Sequence, residues 1–170
     1  MQQLIEVNGK YPRIDPSAWI APNAIISGDT TIGKECSIWF GVVIRGDVNR
    51  IIIGDHVNIQ DLSMVHGTYG RGDTIIGDHV SIGHRAIIHG CQIEDHVLVG
   101  MGAIILDDVK VPSNCIIAAG SVVTSGTILE SGFIYAGVPA KKLKPIDPEQ
   151  SQIYIEGTSK AYVKYKEWYR

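Results

Sequence analysis

The chain has 170 residues, enough for one domain with a sizeable core and too few for two ordinary ones. Its net charge of −3 is dispersed, with no basic stripe for nucleic acid and no polybasic segment for a membrane surface, so neither partner is expected. Hydrophobic residues make up 45% but aromatic ones only 7%, so the core must come from Ile and Val, whose β-branched side chains favour strands.

Residues 1–19 read as a lead-in or cap. The segment "MQQLIEVNGKYPRIDPSAW" lacks the charged-then-apolar layout of a secretory signal, and no run approaches the roughly 18 apolar residues of a membrane span. A cytoplasmic location is therefore expected. From residue 20 to 140 a six-residue beat takes over. Aliphatic anchors fall at Ile20, Ile26, Ile32, Ile38 and Ile44, then at Ile53, Ile59 and Val65, then at Ile76, Ile82 and Ile88. After one five-residue step the beat runs from Ile93 through Val99, Ile105, Val111, Ile117, Val123 and Leu129. Small or β-branched residues recur four positions after many anchors, as at Thr30, Cys36, Val42, Ala86 and Ala103.

A helix needs apolar spacing near 3.6 residues, and plain alternation gives no such beat. The period describes short strands and turns wound as a parallel β-helix, an all-β solenoid whose stacked coils bury a continuous apolar axis. Cys36, Cys91 and Cys115 are odd in number and show no C-x-x-C spacing, so reduced, buried thiols are expected rather than a disulfide framework or a cysteine zinc site. Residues 141–170 leave the beat. Asp147, Pro148 and Glu149 form a good start for a C-terminal α-helix. Ile155, Tyr162, Tyr165 and Trp168 could give it one apolar face, with an interruption expected at Gly157 and Thr158, and the tail is expected to pack along the solenoid.

Five of the six histidines lie in residues 51–91. His56 and His79 belong to the repeated phrase "IGDHV" and His96 to its near-copy "IEDHV", which reads as a solvent-facing corner of the coil. His66, His84 and His89 break that phrase. The six-residue pattern resembles that of the hexapeptide-repeat family, and the resemblance implies three hexads to a coil; with insertions of three residues in 45–52 and five in 66–75, Ile44, Val65 and Ile88 then fall on one wall. Arg45, His66 and His89, the residues that follow them, should then stack at one strand spacing, roughly 4.8 Å per coil. Ile59 and Ile82 share a different wall and bring Gln60 near His84. His84 could complete a site with His66 and His89 only if a neighbouring subunit presents it, which predicts a homotrimer with three equivalent sites. Three neutral imidazoles with an open fourth position form the ligand set of a catalytic zinc, where bound water titrates near pH 7.

The resemblance to the hexapeptide-repeat family also implies its fold, a left-handed parallel β-helix of triangular section. "VVIRGDV", "NIQD", "MVH" and "GHRAIIHG", in that order, resemble the γ-class carbonic anhydrases and their relatives. The resemblance implies reversible hydration of CO2 to bicarbonate by a metal-activated water. It also implies one Zn2+, or Fe2+ or Co2+, per subunit on His66, His84 and His89 at the subunit interfaces. It implies an Arg45–Asp47 ion pair that helps assemble the trimer, Gln60 on the activated water, Asn58 orienting Gln60, and Tyr135 near the site. Two positions depart from the family pattern: Val48 stands where a glutamate is usual, and the short loop "GTYGRGD" puts Tyr69 at about the place of a proton-shuttling glutamate. Other readings are a hexapeptide-repeat acyltransferase, a metal-assisted thioesterase acting on an acyl-CoA thioester, and a non-catalytic metal-binding homologue.

Overall fold

The structure is a computed structural model that describes residues 3–169. The chain winds as a parallel solenoid of about seven turns, a left-handed hexapeptide β-helix closed by a C-terminal helix. Its axis is the six-residue beat made solid: every anchor from Ile26 to Val123 is at most 1% exposed. The small residues four positions on, among them Thr30, Cys36, Ala86 and Ala103, are buried as well, because the corner leaves no room for a larger side chain. Each fully buried Ile contributes about 1.5–3 kcal/mol, so the axis is the main source of stability.

The anchors stack in register, three hexads apart. On one wall Ile20, Ile38, Ile59, Ile82, Val99 and Ile117 pair in succession. On the second, Ile26, Ile44, Val65, Ile88, Ile105 and Val123 do the same. The third runs Ile32, Ile53, Ile76, Ile93, Val111. The long strands Ile25–Ile32 and Val43–Ile53 continue through a corner and join the second and third walls into one 11-stranded sheet.

Strand pairing begins earlier than the lead-in reading of residues 1–19 suggests, since Gln3–Ile5 and Arg13–Ile14 both pair with Ile25–Ile32. At the far end the beat runs one step further than Leu129. Tyr135 pairs with Ile117 and takes an anchor position on the first wall. Beyond it, Lys141–Pro145 folds back antiparallel on Phe133–Ala136.

The tail helix starts at Asp147, whose carboxylate accepts from the Gln150 backbone N–H in a capping box with Pro148 in the first turn. The expected interruption at Gly157 and Thr158 does not occur. A π-helical segment, Ser151–Gly157, passes directly into helix Thr158–Tyr165, with Gly157 in helical geometry at φ −61 and ψ −43. The wide turns set the phase of the helix on the coil: Ile155 packs on Ile116 and Ile134, and Ser159 Oγ donates to the carbonyl of His56. Lys166, fully buried, donates to the Ser17 carbonyl at 3.0 Å and to Glu35 at 2.5 Å. A buried ammonium is costly unless paired, so this contact locks the tail in one position. Among the described residues no helix is long and apolar enough to cross a membrane. All three cysteines are free and buried. Burial pushes the thiols of Cys36 and Cys91 up to about 12 and that of Cys115 to about 11, which keeps them protonated and unreactive.

Candidate metal centre

Strands Met64–His66 and Ile87–His89 are parallel neighbours, and their register sets His66 directly beside His89. The two rings stand edge to face with centroids 5.3 Å apart. Both side chains point outward because the preceding anchors, Val65 and Ile88, point in. Arg45 follows Ile44 on the adjacent strand of the same wall. His84 lies in the turn after Ser81–Ile82, on the first wall, where strand Asn58–Ile59 is the neighbour. There Gln60 and His84 both line an apolar hollow of about 370 Å3, floored by Leu98, Val99 and Ile116 and edged by Met101.

Each of the three histidines is tied to an aspartate. His84 Nδ1 lies 2.8 Å from Asp61 and His89 Nδ1 lies 3.0 Å from Asp107, which leaves Nε2 of both rings as the nitrogen available to a metal. His66 differs: its Nε2 faces Asp47 Oδ1 at 3.0 Å, while Arg45 donates to the other oxygen of Asp47 at 2.6 Å. A metal bound through Nε2 of His66 would therefore replace the Asp47 contact on that nitrogen. The Gln60 amide Nε2 donates to Asn58 Oδ1 at 3.0 Å, and Asn58 Nδ2 donates in turn to Ser81 Oγ at 2.7 Å. All three of these residues are buried, so the row is fixed.

Burial acts to raise the Asp107 carboxyl, but the Thr68 and His89 side chains outweigh it and hold the group below the usual carboxylate range. Oδ1 of Asp107 is buried without a hydrogen-bond partner. Such a charged group accepts strongly from an imidazole N–H.

The donor set fits a divalent metal of borderline softness: three imidazoles, two with Nδ1 committed to a carboxylate. Among the described residues no three His, Cys, Asp or Glu side chains converge on one point within the chain. His66 and His89 form a pair, and His84 sits one wall away. The remaining expected site residues fall apart from this set. Tyr69 is 83% exposed at the tip of the loop after His66. Tyr135 closes the end of the axis, with its hydroxyl accepting from the Glu130 N–H at 2.6 Å, and within the chain its ring belongs to the core. Continuing the six-residue beat one step would have placed it in the core. Asp61 and Asp107 were not singled out from the sequence. Asp107 did carry a signal, since it stands two residues after the anchor Ile105, the place the aspartate holds in "IGDHV".

Comparison with known proteins gives a consistent picture. The Bacterial transferase hexapeptide (six repeats) family profile matches residues 11–46 and 90–125. The chain is 44% identical over 94% of its length to "Gamma carbonic anhydrase 2, mitochondrial" of Arabidopsis thaliana, and spans 59% of that longer protein. It is 39% identical to "Carbonic anhydrase" of Geobacillus kaustophilus, covering 95% of this chain and 88% of that one. Among solved structures, a hexapeptide transferase family protein from Anaplasma phagocytophilum superposes with a TM-score of 0.94 at 41% identity, over 99% of both chains.

Proposed function

This chain belongs to the γ-class carbonic anhydrase family of hexapeptide-repeat proteins, and from that premise we propose that it hydrates CO2 reversibly to bicarbonate at metal centres shared between the subunits of a homotrimer. The proposed ligands are His66 and His89 of one subunit and His84 of the next, holding Zn2+, with Fe2+ or Co2+ as the other candidates. Bound there, the metal would act as a Lewis acid that brings the pKa of water to about 7. The chain's own residues do the rest. Asn58, anchored on Ser81, holds the Nε2 of Gln60, so the carbonyl end of Gln60 is left to accept from a water O–H and orient it. The Arg45–Asp47 pair presses on His66 from the side opposite His89 and ties the site to the subunit boundary. Leu98, Val99 and Met101 beside Gln60 and His84 offer an apolar wall suited to a neutral, weakly hydrated substrate such as CO2. A cytoplasmic setting is part of the same proposal.

The observation that carries this reading is the register of His66 on His89 with His84 on the neighbouring wall. It is tested by metal analysis of protein purified without a histidine tag, followed by stopped-flow CO2 hydration. About one metal per subunit and a rate above buffer are expected. Bound metal with no rate above buffer, under either zinc or iron loading, would reduce the protein to a metal-binding homologue. A second reading is favoured by the size of the apolar hollow and by the transferase family name of the Anaplasma structure: acyl transfer, or metal-assisted hydrolysis of an acyl thioester. Metal-free protein that binds acetyl-CoA would select acyl transfer and overturn the carbonic anhydrase reading.

A further inference from the structure

The corners of this solenoid are built on a repeated contact. Asp55, Asp78 and Asp95 each stand two residues after an anchor, at Ile53, Ile76 and Ile93. Each carboxylate reaches back one coil and accepts a backbone N–H there, from Lys34 at 2.7 Å, Asp55 at 2.7 Å and Asp78 at 2.8 Å. Each lies over a glycine, Gly33, Gly54 and Gly77, where a Cβ would collide with the carboxylate oxygen. Aspartate and glycine thus form one unit, with the missing side chain making room for the acid.

Asp107 has the same build on a different edge. It stands two residues after Ile105, which pairs with Ile88, and its Oδ1 fills the space over Gly90, where a Cβ would again collide. Gly90 is held at φ +56, a second reason for glycine there. Its bonding differs. Oδ2 takes the His89 Nδ1 at 3.0 Å instead of a backbone amide, and Oδ1 is left buried without a partner. As a corner brace this is the poorer arrangement, because an orphaned buried acceptor is a net loss. Its return is a fixed imidazole. The neighbouring Asp108 takes the nearby cation, Arg71, at 2.8 Å, so Asp107 is left to His89.

We infer that Asp107 is a positioning residue for the proposed metal centre: its carboxylate, seated over Gly90, holds the His89 ring with Nδ1–H inward and Nε2 presented outward beside His66. The metal half of this inference rests on the reading given under Proposed function; the hydrogen bond does not. The bond fixes the tautomer before any metal arrives, and a carboxylate behind the ring makes the outer nitrogen a better donor.

Two measurements test it. Nitrogen-15 NMR of the metal-free protein should show His89 as the Nδ1–H tautomer, shifting in Asp107→Ala toward the Nε2–H form that an unrestrained imidazole favours. Zinc affinity, read by chelator competition, should fall about 10- to 100-fold in Asp107→Ala. It should fall less in Asp107→Asn, which keeps an acceptor oxygen without the charge, and not at all in Asp55→Ala, the same corner unit away from the histidines. A folded Asp107→Ala with the wild-type tautomer and wild-type zinc affinity overturns the inference. If that variant does not fold, unchanged affinity and tautomer in Asp107→Asn overturn it equally. Wild-type protein with no zinc affinity overturns the centre itself, an outcome distinct from a centre that binds zinc but ignores Asp107.

Discussion

The molecule carries two sets of three histidines, one aligned along a single edge and one split between two walls, and their aspartates separate them. On the "DHV" edge His56, His79 and His96 sit in left-handed turns at φ 56, 55 and 56, with rings stacked 4.7 and 5.0 Å apart and nearly parallel. The aspartates before them spend their oxygens on backbone amides of the preceding coil. Around the other site, His66, His84 and His89 each face the carboxylate of an aspartate, and His66 and His89 stand edge to face. The same residue types thus brace the coil in one set and hold imidazole rings in the other. What changes is whether the carboxylate bonds the backbone or the ring, and only the second arrangement points to ligand chemistry.

The largest break in this comparison is expected from His66→Ala set against His79→Asn. The first should take bound metal from about one per subunit to near none by elemental analysis, because two ligands cannot hold a centre built on three. The second should leave the metal in place. In the metal-free state His66→Ala should shift unfolding by no more than about 0.5 kcal/mol, as expected of a side chain outside the core. Metal retained by His66→Ala, or lost by His79→Asn, would erase the distinction between the two sets.

Next in size is the contrast between neighbours in the chain. Ile88 lies on the axis with no exposed surface, so Ile88→Ala should cost about 2–5 kcal/mol in chemical denaturation. His89→Ala, one residue on and pointing outward, should cost far less while abolishing metal binding. Equal losses of stability would mean that the outer residue also carries packing and that the wall does not separate the two duties.

A smaller effect comes from pH on the "DHV" edge. Burial, and then the neighbouring rings of His56 and His96, push the His79 imidazole below its ordinary value of 6.5. The folded state therefore favours neutral His79, and the unfolded chain takes up a proton first as the pH drops. Stability that is fully present above about 6.5 is lost as the pH falls from there toward the depressed folded value. Thermal unfolding of metal-free His79→Asn should show a shallower decline over that window than wild type, since Asn accepts the left-handed φ and has no proton to gain. An identical pH slope would assign the acid sensitivity to other groups.

Much of this was legible in the sequence because a six-residue beat fixes both direction and wall. Which side chains face the axis follows from counting; which strands pair, and that His66 lands on His89, follow once the family resemblance supplies three hexads to a coil. Missed features depend on contacts across coils or on the tail. Asp107 hid among corner aspartates because its partner is chosen by the side chain's rotation, which spacing does not encode. The π-helical turns before Gly157 and the burial of Lys166 depend on how the helix meets the coil, where Glu35 and the Ser17 carbonyl lie more than a hundred residues away in sequence. For Tyr135 the family resemblance points to the site, while the beat assigns it an anchor position.

The smallest expected effect concerns the loop between His66 and Thr74. Asn49 ties its backbone at Thr68 and Gly72, and Arg71 pairs with Asp108, so both flanks are held while Tyr69 stands out at 83% exposure. A side chain so placed contributes little to folding, and Tyr69→Phe should leave stability within about 0.5 kcal/mol of wild type. If its hydroxyl relays protons in place of the glutamate that this short loop lacks, removing it slows CO2 hydration where proton removal limits turnover. External buffer does the same job, so the deficit should show in dilute buffer and vanish in concentrated buffer. A deficit that buffer does not repair would place Tyr69 in substrate binding or in the chemical step; no deficit at any buffer concentration would leave proton removal to solvent alone.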